Sequence, residues 1–323
     1  MRLSIALFGV LLAVVENVHA EDRSVSLDWL EVAAFAGHQT NYSGIFVYQY
    51  DNHVETSNII HVSEADSEFE KLESLDGPKR EIIRHDGQVW SYTNHKMVQM
   101  ESQQGRGRFP FLLPEQLSAL NASYQAKQFG VERVAGYDAQ VILFQPKDNL
   151  RYTHKMWVHT DSGLLLKAAV LTEKNHVAEQ YAFTQLQIGG QIDRSWIKLS
   201  TSAGLQGKGL SQTPIAVKNG ETINSGWVAD MLPTGFNKTT ELQRKMRGKH
   251  GPVTQIVYSD GLSAISLFIE ANDGDEDDVE GLSSRGALNL SHKVKDKYLI
   301  TVVGEVPPHT VMQVLDSVRY NGK

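Results

Sequence analysis

The fold class of this chain is decided by residues 151–172, which read RYTHKMWVHTDSGLLLKAAVLT. The runs Arg151–Thr160 and Leu164–Thr172 are rich in apolar, aromatic and β-branched residues, and Asp161–Gly163 separates them. Two such runs joined by a turn sequence predict neighbouring strands of an antiparallel sheet. The stretch therefore indicates a fold built mainly from β-structure.

The same pattern extends in both directions along the chain. Strand-like runs at Ser123–Val134 and Asp138–Pro146 precede the quoted stretch, and Val177–Ile188 follows it. Further upstream, Tyr42–Tyr50 is aromatic and β-branched, whereas Ser26–His38 has the apolar spacing of an amphipathic helix. Successive strands joined by short turns predict an antiparallel meander. We therefore expect one helix and a large curved sheet in the N-terminal part.

A charged hairpin is predicted at residues 75–92, which read LDGPKREIIRHDGQVWSY. Its strands are Arg80–Arg84 and Gln88–Tyr92, joined by a His-Asp-Gly turn. Because alternate residues of a strand share a face, Ile82 lies beside two arginines and Ile83 lies beside a glutamate and a histidine. Neither face is purely apolar, which favours a strand at the edge or rim of the sheet.

The chain becomes polar and rich in turn residues between Thr201 and Gly226. We expect residues 201–226 to be a linker between a domain at residues 21–200 and a second unit at residues 227–323. The second unit has predicted strands at Phe236–Met246, Val253–Tyr258, Leu262–Glu270 and Lys297–Gly304, and a closing helix at His309–Val318. This mixture predicts a smaller α/β domain, so the whole chain is classed as α+β and mainly β.

The first twenty residues predict export. Ser4–Val15 is apolar but shorter than the roughly 20 residues that a membrane span needs. It follows a positive start and precedes small residues, so residues 1–20 are expected to be a signal peptide removed after Ala20. The chain has no cysteine, so an exported form must rely on its core and not on disulfides. A formal net charge of -7 does not suggest a nucleic-acid-binding protein.

Motifs of catalysis and metal binding are missing from the sequence. It contains no Gly-x-Ser-x-Gly elbow, no P-loop, no His-Glu-x-x-His and no dinucleotide fingerprint. His154 and His159 point to opposite faces of one strand, and the acidic loop at 273–284 departs from the calcium-loop pattern at Asp278 and Ser284. We expect no catalytic residue, no metal site and no cofactor, and a dispersed triad stays open as the least favoured alternative.

Two features leave alternatives open. The basic run at Asn237–Gly251 carries Arg244, Lys245 and Arg247, which either meet an acidic peptide or lipid phosphates or lie on a solvated hairpin. The apolar strands of the N-terminal part either enclose a slot for acyl chains or simply fill the core. The sequence decides neither question.

Five segments, taken in order, resemble the RseB/MucB family of periplasmic regulators of the sigma-E envelope stress response. They are LDGPKREIIRHDGQVWSY, YTHKMWVHTDSGLLLKAAVL, WVADMLPTGF, VYSDGLSAISLFIE and ITVVGEVPPHTVMQVLDSVRY. Each segment alone is weak, but five in order, with a signal peptide and the family's length, are specific. The resemblance implies a LolA/LolB-like N-terminal domain, an unclosed antiparallel β-barrel with helices, followed by a smaller mixed α/β regulatory domain.

The resemblance also implies that the protein acts by binding and not by catalysis. Members hold the periplasmic domain of a transmembrane anti-sigma factor, RseA or MucA, and shield it from proteolysis. Lipopolysaccharide, or the acyl chains of a lipoprotein, is the implied release signal. Within that scheme Lys79, Arg80 and Arg84 are candidate contacts for acidic or phosphate groups on a rim or interdomain surface.

The C-terminal candidates divide between packing and partner binding. Trp227, Leu232 and Phe236 are expected to pack where the chain enters the second domain. They also border a candidate anti-sigma-factor groove, because a helical partner needs apolar anchors. The basic residues Arg244, Lys245 and Arg247 are the other candidate contacts. A periplasmic lipid or lipoprotein carrier is the alternative function, and the sequence leaves a homo-oligomer open.

Overall fold

The computed structural model describes residues 23–24, 27–64, 67–93, 96–100, 108–114, 117–197, 215–216, 221–246, 251–272 and 281–322. The predicted signal peptide, Arg247, the acidic loop at 273–280 and most of the predicted linker lie outside these residues. Within the described ranges, no helix is long and apolar enough to cross a membrane.

The N-terminal part is one large sheet with a helix, α1 (Leu27–Gln39), which confirms the helix predicted at Ser26–His38 to within one residue. The strands in chain order are β1 (Arg23–Ser24), β2 (Tyr42–Tyr50), β3 (His53–Glu64), β4 (Ser67–Ser74), β5 (Arg80–His85), β6 (Gln88–Thr93), β7 (Lys96–Met100), β8 (Tyr124–Val134), β9 (Tyr137–Pro146), β10 (Thr153–His159), β11 (Leu165–Leu171), β12 (Val177–Ile188) and β13 (Ile215–Ala216). A 3-10 helix, Leu117–Ala122, precedes β8.

The sheet is unclosed and, apart from one pair of strands, antiparallel. Its strand order is β1-β8-β9-β10-β11-β12-β2-β3-β4-β5-β6-β7-β13. Strand β12 pairs with β2 along its length, from Glu179 opposite Tyr50 to Ile188 opposite Tyr42. Among the described strands, β13 forms the one parallel pair, with β7. The strands at the two ends of this order, β1 and β13, are not neighbours, so the predicted unclosed antiparallel sheet is confirmed.

The β10–β11 hairpin fixes the position of α1. Met156 of β10 lies opposite Ala168 of β11, and both are buried. The turn between them carries Gly163 at φ +70°, so close to the helix that a Cβ there would lie 2.8 Å from the Cα of Ala33. A larger residue at this position would push the helix off the sheet. Leu30 of the helix belongs to the same buried cluster as the two strands.

The strands proposed as the lining of an apolar slot contribute to one continuous core. Phe46, Ile142, Phe144 and Trp157 are all buried in that cluster. The ring of Phe46 lies 5.1 Å from that of Phe109, a distance typical of packed aromatic pairs. In this conformation these side chains pack against one another as core residues.

In the described residues, the C-terminal part is a separate and smaller sheet with a helix, α2 (Pro308–Ser317), packed against it. Its strands are β14 (Glu221–Thr222), β15 (Trp227–Ala229), β16 (Asn237–Lys245), β17 (Pro252–Ser259), β18 (Ala264–Ala271), β19 (Gly281–Arg285), β20 (Leu288–Lys295), β21 (Tyr298–Gly304) and β22 (Val318–Tyr320). Seven form the order β14-β16-β17-β18-β21-β20-β19, and β15 pairs with β22. Ile256, Leu267 and Val302 of the sheet share one buried core with Val311 and Leu315 of the helix. The predicted smaller mixed domain is confirmed.

One expectation about the charged hairpin is wrong. Strand β5 is not an edge strand, because it pairs with β4 on one side and β6 on the other. Its charges fit an internal position because Arg84 is neutralised by Glu70 of β4. On the other face, Ile83 packs with Trp90 in a small buried cluster.

Candidate functional site

The charged hairpin divides its three predicted contact residues between solvent and an ion pair. The side chain of Lys79 is 76% exposed, and its Nζ lies 3.6 Å from Glu73. Arg80 is also exposed. Arg84 instead forms an ion pair with the buried carboxylate of Glu70. Lys79 and Arg80 are therefore the two cations that the hairpin presents to an external anion.

Glu70 has a second arginine partner. The Nε atom of Arg108 donates to the Oε2 atom of Glu70 at 3.3 Å, and its guanidinium lies 4.6 Å from the ring centroid of Phe111. Two guanidinium groups thus compensate one buried carboxylate, as a buried charge requires. We refer to Glu70, Arg84 and Arg108 as the barrel cluster.

A second carboxylate lies beside the barrel cluster. Oxygens of Glu68 lie 3.1 Å from Nδ1 of His38 and 3.1 Å from Nε2 of His61. Burial tends to raise the pKa of Glu68, but the hydrogen bonds and charges of the two histidines outweigh it and hold the pKa well below its usual range. Such a carboxylate suits an ion pair and not a proton donor. In the described part of the chain, no group of His, Asp and Glu is arranged to hold a metal ion.

The three apolar candidates of the C-terminal domain are packing residues in this structure. Trp227 and Phe236 are buried in the domain core, and Leu232 packs against it. The indole of Trp227 lies 5.1 Å from the ring of Tyr298 and 5.4 Å from that of Tyr320. These contacts fix the point where the chain enters the second domain.

The basic run on β16 is only partly free. Arg244 donates to the side chain of Gln255 on the neighbouring strand. Lys245 is exposed at the end of β16, opposite Pro252. Arg247 lies outside the described residues. The structure does not bring this run together with the hairpin cations in any described contact.

The structure reveals a polar interface between the two domains that the sequence did not predict. Its centre is Arg151, whose side chain is completely buried. The Nη1 atom of Arg151 lies 2.8 Å from Oδ2 of Asp260, whose side chain is 1% exposed. The hydroxyl of Tyr124 donates to the same Asp260 oxygen at 3.0 Å. Arg151 also donates to the carbonyl of Thr234 at 2.6 Å, and its guanidinium lies 5.3 Å from the ring of Phe236. We call this set the interdomain seam.

Polar contacts continue along both sides of the seam. Tyr152 of the first domain accepts a hydrogen bond from the Asn289 amide at 3.0 Å, and the hydroxyl of Thr310 donates to the Leu150 carbonyl at 3.0 Å. Further along, Arg285 lies over the ring of Tyr50 at 4.4 Å. Helix α2 and the β19–β20 hairpin therefore both touch the barrel domain.

The seam could not be predicted from sequence patterns because the residues that meet there are far apart in the chain. Arg151 and Asp260 are separated by 109 residues. The local signals were only a turn sequence at Asp260-Gly261 and an arginine after a polar loop. The available hint was an arginine at the start of a strand run that carries Met156, Trp157 and Val158, because a buried arginine needs a carboxylate partner.

Comparison with known proteins now identifies the family. A model of the MucB/RseB N-terminal domain matches residues 26–201, and a model of the MucB/RseB C-terminal domain matches residues 221–319. This chain belongs to the MucB/RseB family. The family resemblance drawn from the five sequence segments is therefore confirmed.

Relatives match the MucB/RseB chain over nearly its whole length. The sigma factor AlgU regulatory protein MucB of Pseudomonas aeruginosa is 31% identical, over 97% of this chain and 95% of its own. The sigma-E factor regulatory protein RseB of Escherichia coli K12 is 24% identical, over 90% of this chain and 89% of its own.

Solved structures of MucB align with both domains together. MucB in complex with MucA(peri) aligns with a TM-score of 0.74 at 29% identity, over 93% of this chain and 100% of that chain. A second crystal structure, described only as MucB, aligns with a TM-score of 0.62 at 29% identity, over 91% of this chain and 97% of that chain.

Proposed function

We propose that this chain is a negative regulator of the sigma-E envelope stress response, which binds the periplasmic domain of a transmembrane anti-sigma factor and shields it from proteolysis. One observation carries the proposal. The chain aligns over 93% of its length with a MucB that was crystallised in complex with MucA(peri). Both domains take part in the alignment, so the proposal concerns the whole molecule and not one module.

The proposed place of action is the periplasm. The support is the expected signal peptide at residues 1–20, together with relatives named as sigma-factor regulators and a partner fragment named as periplasmic. We further infer a role without catalysis. The buried carboxylates described above, Glu70 and Asp260, are both occupied by arginine partners.

The candidate contact residues take separate roles in this proposal. Lys79 and Arg80 are exposed and suit anionic groups of a lipid signal such as lipopolysaccharide. Lys245, and Arg247 beyond the described residues, are proposed contacts for an acidic segment of the anti-sigma factor. Trp227, Leu232, Phe236, Arg84 and Arg244 act indirectly, by holding the surfaces that carry the contacts.

Release follows from linkage between two binding events. If lipopolysaccharide or lipoprotein acyl chains weaken anti-sigma-factor binding by some factor, the anti-sigma factor weakens lipid binding by the same factor. We propose that the two domains change their relative arrangement about the predicted linker at 201–226. The support is that this structure matches MucB in complex with MucA better than MucB for which no partner is named, at equal sequence identity.

Calorimetric titration tests the proposal. The mature chain is titrated with the periplasmic segment of the anti-sigma factor encoded in the same genome, with and without lipopolysaccharide. Tight binding that lipopolysaccharide weakens supports a regulator. Absence of binding in both conditions, with stoichiometric acyl chains found in the purified protein by mass spectrometry, would replace the regulator by a lipid or lipoprotein carrier.

A further inference from the structure

The interdomain seam is closed by a charge pair that water does not reach. Arg151 is the largest fully buried side chain of the described residues, and the carboxylate that it meets across the seam is Asp260. Removing one member of such a pair is costly, because the other is left as an uncompensated buried charge. The closed arrangement therefore loses much of its stability if either charge is removed.

Each charge also has partners inside its own domain. Arg151 donates to both carboxylate oxygens of Asp148, at 3.2 and 3.1 Å. The Oδ1 atom of Asp260 accepts hydrogen bonds from the backbone N–H groups of Leu262 and Ser263, at 3.0 and 2.8 Å. If the domains part, Arg151 keeps a carboxylate and Asp260 keeps two donors, and water replaces the lost contacts. Both the closed and the opened seam are thus chemically satisfied.

Other contacts of the seam include further hydrogen bonds, and one apolar side chain of the C-terminal domain, Leu262, packs against the barrel core. Ser123 donates to the Thr234 carbonyl at 2.9 Å, and the His309 ring lies 2.9 Å from the Asn149 carbonyl. Polar groups of this kind exchange readily with water, whereas a large apolar interface would resist separation. A largely polar seam with one buried ion pair at its centre is suited to a reversible closure.

We propose that the Arg151–Asp260 pair is a latch that holds the two domains in the arrangement that binds the anti-sigma factor. The inference rests on the proposed function, and it assigns the control of partner affinity to residues of the seam. Arg151 is a positioning residue, since it sets the relation of two surfaces without itself serving as the partner contact. A lipid signal that favours the opened arrangement then lowers partner affinity without occupying the partner's surface.

The first test removes the charge of the latch. Asp260→Asn keeps the size of the side chain and an oxygen for the two turn N–H groups, but it leaves Arg151 without its buried carboxylate. Asp230→Asn is the matched control, because Asp230 pairs with Arg319 inside the C-terminal domain and on the surface. We expect the Asp260 variant to bind the periplasmic anti-sigma-factor segment about tenfold or more weakly, and the control to bind as the unmodified chain does.

The second test locks the seam and remains informative if the first variant folds poorly. A Cβ placed on Gly235 would lie 3.6 Å from the Cβ of Ser123 across the seam, within the ~3.5–4.5 Å range of disulfides. Gly235 has a φ of +91°, so the cysteine there carries backbone strain that the oxidised disulfide must hold. The natural chain has no cysteine that would compete. Ser123→Cys with Gly235→Cys, once oxidised, should bind the segment at least as tightly as the unmodified chain. Lipopolysaccharide should no longer weaken that binding until the disulfide is reduced.

The results separate the latch from the proposed function. If the unmodified chain does not bind the anti-sigma-factor segment, the proposed function is wrong. If the unmodified chain binds but the folded Asp260 variant binds equally well, or the oxidised lock still releases the segment with lipopolysaccharide, the latch is wrong and the regulator stands. Circular dichroism and a single unfolding transition establish that each variant is folded.

Discussion

The barrel cluster and the interdomain seam use the same chemistry for different ends. In each, a carboxylate with almost no exposed surface meets an arginine, Glu70 with Arg84 and Asp260 with Arg151. Glu70 draws its partners from its own domain, whereas Asp260 draws its arginine from the other domain. One pair therefore holds strands of a sheet together, and the other holds two domains together.

The comparison teaches where a buried charge affects folding and where it affects arrangement. Loss of Glu70 leaves arginines unpaired inside one cooperative unit, so the unit itself becomes less stable. Loss of Asp260 affects a boundary that water can fill. A buried ion pair contributes modestly to net stability, and its conformational role depends on what its two members belong to.

The largest expected effect comes from breaking the barrel cluster. Glu70→Gln leaves Arg84 and Arg108 facing a neutral amide. We expect the free energy of unfolding of the N-terminal domain to fall by about 3 kcal/mol, near the low end for a buried pair because both arginines reach solvent. Urea unfolding followed by tryptophan fluorescence measures it. An unchanged midpoint would contradict the structural role of the cluster, and anti-sigma-factor binding by the fraction that remains folded should persist.

Acid should affect the seam, where the His154 ring lies 3.4 Å from the Ser263 hydroxyl, before it affects Glu68 beside the barrel cluster. Burial lowers the pKa of His154 to about 4, opposed in part by the charge of Asp260. Because the folded pKa lies below the unfolded value of about 6.5, unfolded or opened forms bind more protons between these values. The stabilising contribution of neutral His154 is complete above about pH 6.5 and is lost as pH falls towards 4, by at most about 1.4 kcal/mol per pH unit.

Substitution of the histidine sharpens this acid test. His154→Gln should flatten the loss of stability between pH 6.5 and 5. Glu68 offers the contrast. Because the folded state lowers its pKa, its contribution to the stability of the barrel is fully present above about pH 4.5 and is lost only as the pH falls below that value. Equal pH slopes for the His154 variant and the unmodified chain would show that His154 does not carry the effect.

The smallest effect on stability is expected from the exposed cations of the hairpin. Lys79→Gln with Arg80→Gln should leave the urea midpoint unchanged, since exposed charges contribute little to folding. It should weaken binding of lipopolysaccharide and reduce its dependence on salt. Adding Arg84→Gln should lower stability as well, because Arg84 belongs to the barrel cluster. Unchanged affinity for lipopolysaccharide in the double variant would remove Lys79 and Arg80 from the proposed contacts.

Sequence patterns predicted the elements of this fold better than their neighbours. The helix at Ser26–His38 and the β10–β11 hairpin follow from apolar periodicity and from a turn sequence, which are local signals. The internal position of β5 did not follow, because the partner that neutralises Arg84 is supplied by β4. From sequence alone, a charged side chain is expected to face solvent unless the residue of opposite charge that pairs with it is known.

Strand β20 was missed for a related reason. Its sequence, LNLSHKVK, ends in two lysines that resemble a solvated loop. In the structure Lys293 pairs with Asp316 at 2.5 Å, and Lys295 donates to the Val318 carbonyl at 2.8 Å. Both lysines thus lie at the C-terminal end of α2, where cations are favourable. Trp227 and Phe236 lie in the core of the C-terminal domain, whereas the pairing of Arg151 with Asp260 was beyond any local pattern.

The distance between the two domains tests the central claim most directly. Spin labels on cysteines introduced at Asp161 and Lys297, two exposed turn positions, report one distance per molecule because the chain has no other cysteine. With the anti-sigma-factor segment bound, we predict a single narrow distribution that matches the closed seam. Addition of lipopolysaccharide should release the segment and shift the distribution to a new distance. A distribution that stays the same in both conditions, while the segment is released, would contradict a mechanism based on domain arrangement.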